Sequence, residues 1–345
     1  MRQSELPHFL CREMLGDIQK KAFSEDLLTW FESEKEEHPW RQTTDPWAIL
    51  VSEVMLQQTQ VATVLGRGFY TSFLQKFPDV ESISKASEQE ILAAWEGLGY
   101  YRRVRNLQKT ANAVLEQHGG TFPQSHEELL TLPGVGPYTA GAVASFAYGL
   151  AHELVDANVS RIFSRLFDYQ VEVDSSVGLK QMWKWAKELL DRENPALYNS
   201  ALMELGQKIC KNKNPQCMLC PVRSHCATDE PDALPKKKLK RKSVEVEEQC
   251  ALVTKEGSIL LQKQGASERR EGMWSLPVLK IAKRKNAVYT AKYTITHHKV
   301  ALSVYKAEKY DPKKSDQWFA MEELVNIPMP SPFRKAVTAI LEMEK

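Results

Sequence analysis

Four cysteines, Cys210, Cys217, Cys220 and Cys226, fall within seventeen residues in the spacing C-x6-C-x2-C-x5-C. Four thiolates this close can converge on one centre. A disulfide framework fits poorly. Only six cysteines occur in 345 residues, Cys11 and Cys250 lie far away, and Met1-Arg-Gln-Ser-Glu-Leu-Pro carries no secretory pattern. A metal site is the better reading. Zinc prefers two short C-x2–4-C knuckles, and only Cys217 and Cys220 stand that close. All-thiolate ligation with uneven gaps suits an iron–sulfur cluster.

The chain is long enough for two domains, and its 43% hydrophobic and 26% charged residues are ordinary for a globular protein. No apolar run approaches the ~20 residues of a membrane span. The net charge is only +2. Any grip on nucleic acid must therefore come from local basic patches. No targeting signal is read, so a cytoplasmic setting is expected, which also favours free thiolates.

The first two-thirds carries helical periodicity, as in Asp26-Leu-Leu-Thr-Trp-Phe, Ile49-Leu-Val-Ser-Glu-Val-Met-Leu and Glu90-Ile-Leu-Ala-Ala-Trp, with Ser87 and Glu90 spaced as a capping box. After Cys226 the composition shifts to Asp229-Glu-Pro-Asp-Ala-Leu-Pro and the basic run Lys236–Lys242, which reads as an exposed linker. Beyond it, Cys250-Ala-Leu-Val, Ser258-Ile-Leu-Leu-Gln and Val300-Ala-Leu-Ser-Val-Tyr read as strands, and Pro332–Glu342 as a closing helix. These boundaries predict a mostly α catalytic part over 1–228, a linker over 229–248 and a smaller α/β domain over 249–345.

Leu132-Pro-Gly-Val-Gly136 lies between two helical patterns. Gly134 and Gly136 permit a tight turn and close backbone approach, and the following helix would aim free N–H groups at an anion. Asp156, in Val155-Asp-Ala-Asn-Val, precedes another helical run. It reads as an N-cap, and a helix N-terminus also keeps a carboxylate ionised. Glu53 is flanked by Val54, Met55 and Leu56. Desolvation there would raise its pKa and suit it to general acid work.

Taken together, the cysteine spacing, the L-P-G-V-G turn and Asp156 between them resemble the endonuclease III superfamily of helix-hairpin-helix DNA glycosylases. Ser52-Glu-Val-Met-Leu-Gln-Gln-Thr-Gln-Val61, His38-Pro-Trp-Arg41, Trp95-Glu-Gly-Leu-Gly-Tyr-Tyr101 and Tyr198–Gly206 resemble its adenine-specific, MutY-type branch. The likeness is dense over residues 25–228. It is weaker beyond, where Gly272-Met-Trp-Ser-Leu-Pro277 resembles the G-x-W-x-x-P segment of a MutT-like, Nudix-fold domain.

The resemblance implies base excision of adenine mispaired with 8-oxoguanine or guanine in double-stranded DNA, by a monomer without membrane association, in a bacterial cytoplasm at the nucleoid. Glu53 would protonate the base and Asp156 would stabilise the sugar cation. Asn158 would orient Asp156, and Tyr138 would touch the carboxylates. Gln57, Gln58 and Tyr100 would fill or wedge the base stack, Gly134 and Gly136 would form the phosphate-binding hairpin, and Arg41 and Arg161 would support the site. Cys210, Cys217, Cys220 and Cys226 would hold a 4Fe–4S cluster, packed by Met218, Leu219, Pro221 and Val222. Lys208, Lys211, Lys213 and Arg223 would make the surrounding loop basic. A monovalent or divalent cation at the hairpin turn is a further expectation.

Bifunctional relatives place a lysine where this chain has Tyr138, so a monofunctional enzyme is implied. Thr296 and His297 would read 8-oxoguanine from a loop where Ile295-Thr296-His297 replaces the usual F-S-H. Asp156-Ala157-Asn158 departs from D-G-N, and alanine lacks glycine's freedom at positive φ. No G-x5-E-x7-R-E-x2-E-E box follows Trp274, so no nucleotide hydrolysis is expected. The competing readings are a bifunctional lyase, an inactive DNA-binding module and a Nudix hydrolase.

Overall fold

The computed structural model describes residues 16–239, 242–265, 270–279, 286–307 and 309–343. Cys11, Lys240 and Arg241 lie outside them. The chain divides into two compact units. One comprises the residues up to Glu53 with Thr121–Leu239, the other Val54–Gly120 with the described residues after 241.

Twelve α-helices precede the first strand among the described residues: α1 (Asp17–Glu34), α2 (Pro46–Leu56), α3 (Val61–Gly66), α4 (Phe69–Lys76), α5 (Val80–Lys85), α6 (Glu88–Ala94), α7 (Arg102–His118), α8 (His126–Leu129), α9 (Pro137–Tyr148), α10 (Ala157–Leu166), α11 (Ser176–Leu189) and α12 (Pro195–Lys208). The boundary between the units falls inside α2, after Glu53.

The first unit is helical. Its core joins Phe23, Leu27 and Phe31 of α1 to Ile162, Phe163 and Leu166 of α10, Trp185 and Leu189 of α11, and Tyr198, Leu202 and Leu205 of α12. The ends of these helices are written in the sequence. Pro137 and Pro195 occupy first helical positions, where the missing N–H is no loss. Gly149 ends α9 at φ 65, a conformation that suits glycine. Cys210 and Cys220 pack partly buried against this core, which fixes the cysteine loop to the helices.

The second unit combines α3–α7 with the strands. The Ser87–Glu90 capping box forms as expected: Glu90 Oε2 accepts from Ser87 N at 2.8 Å, and Glu90 N donates to Ser87 Oγ at 3.3 Å. The strands are β1 (Val244–Leu252), β2 (Thr254–Lys255), β3 (Ser258–Lys263), β4 (Trp274–Ser275), β5 (Tyr289–Ile295), β6 (His298–Lys306) and β7 (Asp316–Ala320), followed by α13 (Ser331–Met343). In one sheet β6 lies between β1, to which it is parallel, and β5, to which it is antiparallel. In the other β3 pairs antiparallel with β2, β4 and β7. Phe333, Val337 and Ile340 of α13 share a core with Leu302, Val304 and Cys250. Cys250 is therefore a core residue, its thiol pushed up to about 12 by burial. Among the described residues no helix is long and apolar enough to cross a membrane.

Candidate active site

Glu53 sits in α2 among Ile49, Leu50, Val51 and Val54, all almost fully buried, and is itself only 4% exposed. Burial, then the hydrogen bond from Tyr138 acting in opposition, then repulsion by Asp156, bring its carboxyl up to about 7. Tyr138, on the first turn of α9, donates its hydroxyl to Glu53 Oε2 at 2.7 Å. Burial raises the Tyr138 pKa well above the ordinary range, so it stays a neutral donor.

Asp156 is the helix cap that the sequence allowed. It caps α10, accepting from Val159 N at 2.7 Å through Oδ1, while Oδ2 accepts from Asn158 Nδ2 at 2.8 Å. Burial pushes this carboxyl up, and the Val159 and Asn158 donors and the Arg161 charge work against it. Ala157 is the first residue of α10 and does not adopt positive φ, so glycine's freedom is not needed there.

Asn158 is oriented from behind. Arg161 donates through Nη2 to Asn158 Oδ1 at 2.8 Å and through Nε to the Cys210 carbonyl at 2.7 Å. The guanidinium thus dictates which end of the amide faces Asp156, and ties that choice to the cysteine loop. Gly206 of α12 gives Asn158 its space: a Cβ at 206 would lie 2.6 Å from Asn158 Cβ. Gly206→Ala should improve helix propensity in α12 by about 1 kcal/mol yet displace Asn158. A misplacement of about 1 Å at a reacting group can cost ~100-fold, so for the excision that the sequence resemblance implies we expect a 10- to 100-fold slower single turnover with helicity retained. An unchanged rate would mean that Asn158 does not position Asp156.

All four thiols line one cavity of about 160 Å³, with Ile162, Leu166, Leu205 and Val222 as its apolar wall. Burial, then neighbouring Cys210, Cys226 and Cys217, push the Cys220 thiol up to about 12, against a backbone hydrogen bond at Val222. Thiolates at this depth therefore require cationic compensation. Arg165 supplies part of it, with Nη1 3.2 Å from Cys210 Sγ and a side chain only 2% exposed. Among the described residues no three His, Cys, Asp or Glu side chains gather as a single ion would hold them. Four thiols around a shared cavity suit a larger, polynuclear group, so the donor set fits an iron–sulfur cluster better than zinc.

Several expectations are corrected. Met218 and Leu219 do not pack about the sulfurs: they are 97% and 68% exposed, because the short turn Cys217–Leu219 directs them outward. Val222 does face the cavity. Lys208 is not part of a free basic surface, because its Nζ pairs with Glu204 at 2.8 Å and Glu36 at 3.3 Å. Arg41 also pairs with the buried Glu204, at 2.8 Å. Lys211, Lys213 and Arg223 remain exposed.

At the hairpin Gly134 has φ 82, whereas Gly136 is extended at φ −98 and caps α9. No atom lies within 4 Å of where a Gly136 Cβ would stand, so the first turn of α9 is open to an approaching anion.

In the second unit Gln58, Tyr100 and Thr296 all adopt left-handed backbone, with φ 62, 48 and 55. Gln58 is exposed beside half-buried Gln57, and Tyr100 is 49% exposed, so neither belongs to the core. Non-glycine residues held at positive φ concentrate at functional sites. Thr296 and His297 form the exposed two-residue turn that joins β5 to β6.

Sequence reading missed Arg165, Glu204 and Arg103. Arg161 and Arg165 stand one turn apart within an apolar stretch of α10, which is the signal that could have flagged them. Glu204 lay inside the motif Tyr198–Gly206, but its partner Arg41 is 163 residues away in sequence.

A protein-family model described as HhH-GPD superfamily base excision DNA repair protein matches residues 51–188. A solved structure titled as a thermostable thymine-DNA glycosylase is 31% identical with a TM-score of 0.55, over 60% of this chain and 95% of that one. A non-covalent endonuclease III–DNA complex is 26% identical with a TM-score of 0.53, over 62% of this chain and 96% of that one. This chain belongs to the HhH-GPD superfamily of base excision DNA repair proteins. Within that class its likeness is to adenine DNA glycosylases: the Homo sapiens protein of that name is 44% identical over 214 residues, which are 59% of this chain and 39% of that protein. The chain spans 39–51% of the length of the mammalian relatives it matches.

Proposed function

We propose that this chain is a monofunctional adenine DNA glycosylase that hydrolyses the N-glycosidic bond of adenine opposite 8-oxoguanine or guanine in duplex DNA. The observation that carries this is the pairing of a buried, protonatable Glu53 with an Asp156 fixed at a helix N-terminus. Two carboxyl groups in such different settings divide the labour of acid and charge stabiliser.

The adenine is turned out of the stack. Tyr138 occupies Glu53 Oε2, which leaves Oε1 to carry the proton. That proton passes to a ring nitrogen of adenine as the bond between base nitrogen and anomeric carbon breaks, and the base leaves neutral. Positive charge builds on the sugar, and the Asp156 carboxylate stabilises it. Water adds to the anomeric carbon, and its proton returns to Glu53. The products are free adenine and an abasic site.

Because Tyr138 offers no amine, the sugar is not captured as a Schiff base. Borohydride added during turnover should trap no covalent DNA adduct, and strand breaks should appear only after alkali. A trapped adduct would make the chain a lyase.

Cys210, Cys217, Cys220 and Cys226 would hold a 4Fe–4S cluster, which would supply a rigid cross-link of its loop. Exposed Lys211, Lys213 and Arg223 on that loop, and the open first turn of α9, would meet backbone phosphates. Residues 249–345 are read as a MutT-like recognition domain. The G-x-W-x-x-P segment supports this, with Trp274 packed edge-on to Phe319 at 4.7 Å, as does the exposed Thr296–His297 turn. Replacing both turn residues by alanine should lower the preference for 8-oxoguanine over guanine opposite adenine, measured as the ratio of single-turnover rates. An unchanged ratio would remove this turn from recognition.

A further inference from the structure

The segment Trp95–Tyr101 has a backbone that few residues adopt unaided. Gly97 and Gly99 have φ 96 and 68, and Tyr100 follows at φ 48. Such a conformation in a tyrosine persists only where its surroundings impose it. One restraint is the buried Arg103. Its Nη2 donates to the carbonyls of Leu98 at 2.9 Å and Gly99 at 3.2 Å, and its Nη1 to that of Gln57 at 2.6 Å. Trp95 Nε1 adds a bond to Gly99 O at 3.1 Å.

The other restraint comes from the end of the chain. Glu96, four residues before Tyr100, accepts a two-pronged bond from Arg334 of α13, Nε to Oε1 at 2.7 Å and Nη2 to Oε2 at 2.8 Å. Met329 N also approaches Glu96 Oε2, at 3.4 Å. The rest of the Arg334 fork is spent on the carbonyls of Leu324 and Ile327. Both side chains are largely withdrawn from solvent, at 24% and 22% exposure. A planar fork held at both ends fixes orientation as well as distance, which a surface ion pair does not.

We propose that Glu96 and Arg334 are positioning residues for base extrusion, a clamp by which α13 holds the Tyr100 turn in its wedging conformation. This rests on the reading of Tyr100 as a wedge in the DNA stack. Neither residue touches the reacting atoms. The pair gives the sheet-bearing C-terminal segment a direct hold on extrusion, separate from its contacts with the opposite base.

The test uses the full chain and a duplex carrying 2-aminopurine opposite 8-oxoguanine, whose fluorescence rises on unstacking. Arg334→Gln, Arg334→Lys, Glu96→Gln and the Gln–Gln double variant are compared with Tyr100→Ala. Single-turnover excision is read on the adenine duplex, and melting temperature alongside. Loss of orientation should reduce extrusion and excision about tenfold in Arg334→Gln. Lysine, which keeps the charge without the fork, should recover little of this. The double variant should be no worse than the more damaged single one, because both act through the same contact. Additive losses, or losses that merely follow a falling melting temperature, overturn the clamp. So does wild-type extrusion in Arg334→Gln when Tyr100→Ala has lost it. If Tyr100→Ala extrudes normally, the wedge and the clamp fall together. A wild type that extrudes the base but releases no adenine would instead sink the glycosylase reading.

Discussion

Asp156→Asn should slow single-turnover release of adenine by about 100- to 1,000-fold while leaving the fold nearly intact. On the proposed mechanism this side chain has two separable jobs. As a helix cap, asparagine is about as good as aspartate. Its Oδ1 can still accept from Val159 N, the bond that measures 2.7 Å in the native chain. What it cannot do is accept from Asn158 Nδ2, because two amide NH2 groups would then face each other where Oδ2 now accepts at 2.8 Å. One lost hydrogen bond is worth about 1 kcal/mol. For a chain of this size that lowers the melting temperature by only ~2–4 °C. The electrostatic loss is far larger. A fixed carboxylate beside a developing sugar cation is replaced by a neutral amide, and removal of a single transition-state donor elsewhere commonly costs 10²–10³-fold, roughly 3–4 kcal/mol. Quenched reactions on an adenine–8-oxoguanine duplex, developed with alkali and paired with calorimetry, would read both quantities. A variant that excises at the native rate would show that Asp156 is a cap and nothing more.

The helical frame, the buried setting of Glu53 and the capping by Asp156 were legible because their signals are local. Glu53 stood in an apolar run, Asp156 preceded a helical pattern, and Ser87 and Glu90 had capping-box spacing; each statement needs fewer than ten residues. Arg41 and Arg161 were named as supports from the resemblance, but the partners that hold such residues were not legible, because each is distant in sequence. Arg161 reaches the Cys210 carbonyl 49 residues away, Arg41 finds Glu204 at a separation of 163, and Arg334 finds Glu96 at 238. A lone Arg in a helix reads as a solvated face until its carboxylate or carbonyl is seen. The cysteine loop shows the same limit in reverse. Proximity in sequence placed Met218 and Leu219 near the sulfurs, but the turn between Cys217 and Cys220 points them away, and the apolar cavity wall comes from α10, α12 and Val222. The concern over Ala157 dissolves for a physical reason: it is already helical.

Glu53→Gln should give an enzyme that is more stable than wild type at pH 8 and almost inactive at every pH. A carboxyl moved by burial from 4.5 to about 7 binds its proton more tightly in the folded chain than in the unfolded one. Folded protein therefore holds more protons across this window, and stability falls as pH rises from about 4.5 to 7. Above pH 7 the ionised, buried Glu53 destabilises the fold by about 3 kcal/mol, the free-energy equivalent of that shift. Glutamine keeps an acceptor for the Tyr138 hydroxyl, which donates to Glu53 at 2.7 Å, and it carries no charge to desolvate. The variant should thus gain up to ~3 kcal/mol over wild type at pH 8 and little at pH 4.5. Activity runs the opposite way. Loss of a general acid typically costs 10²–10⁴-fold. In wild type the same proton sets the rate, which should be level below pH 7 and fall about tenfold per unit above it, because only the protonated acid is competent. Urea melts of both proteins at pH 5 and pH 8, with single-turnover rates from pH 5.5 to 9, read the two halves together. A stability difference that does not grow with pH would mean Glu53 titrates like an exposed carboxylate. A rate that stays level above pH 7 would mean the proton comes from elsewhere. Either result would separate Glu53 from the acid step that its burial in α2 argues for.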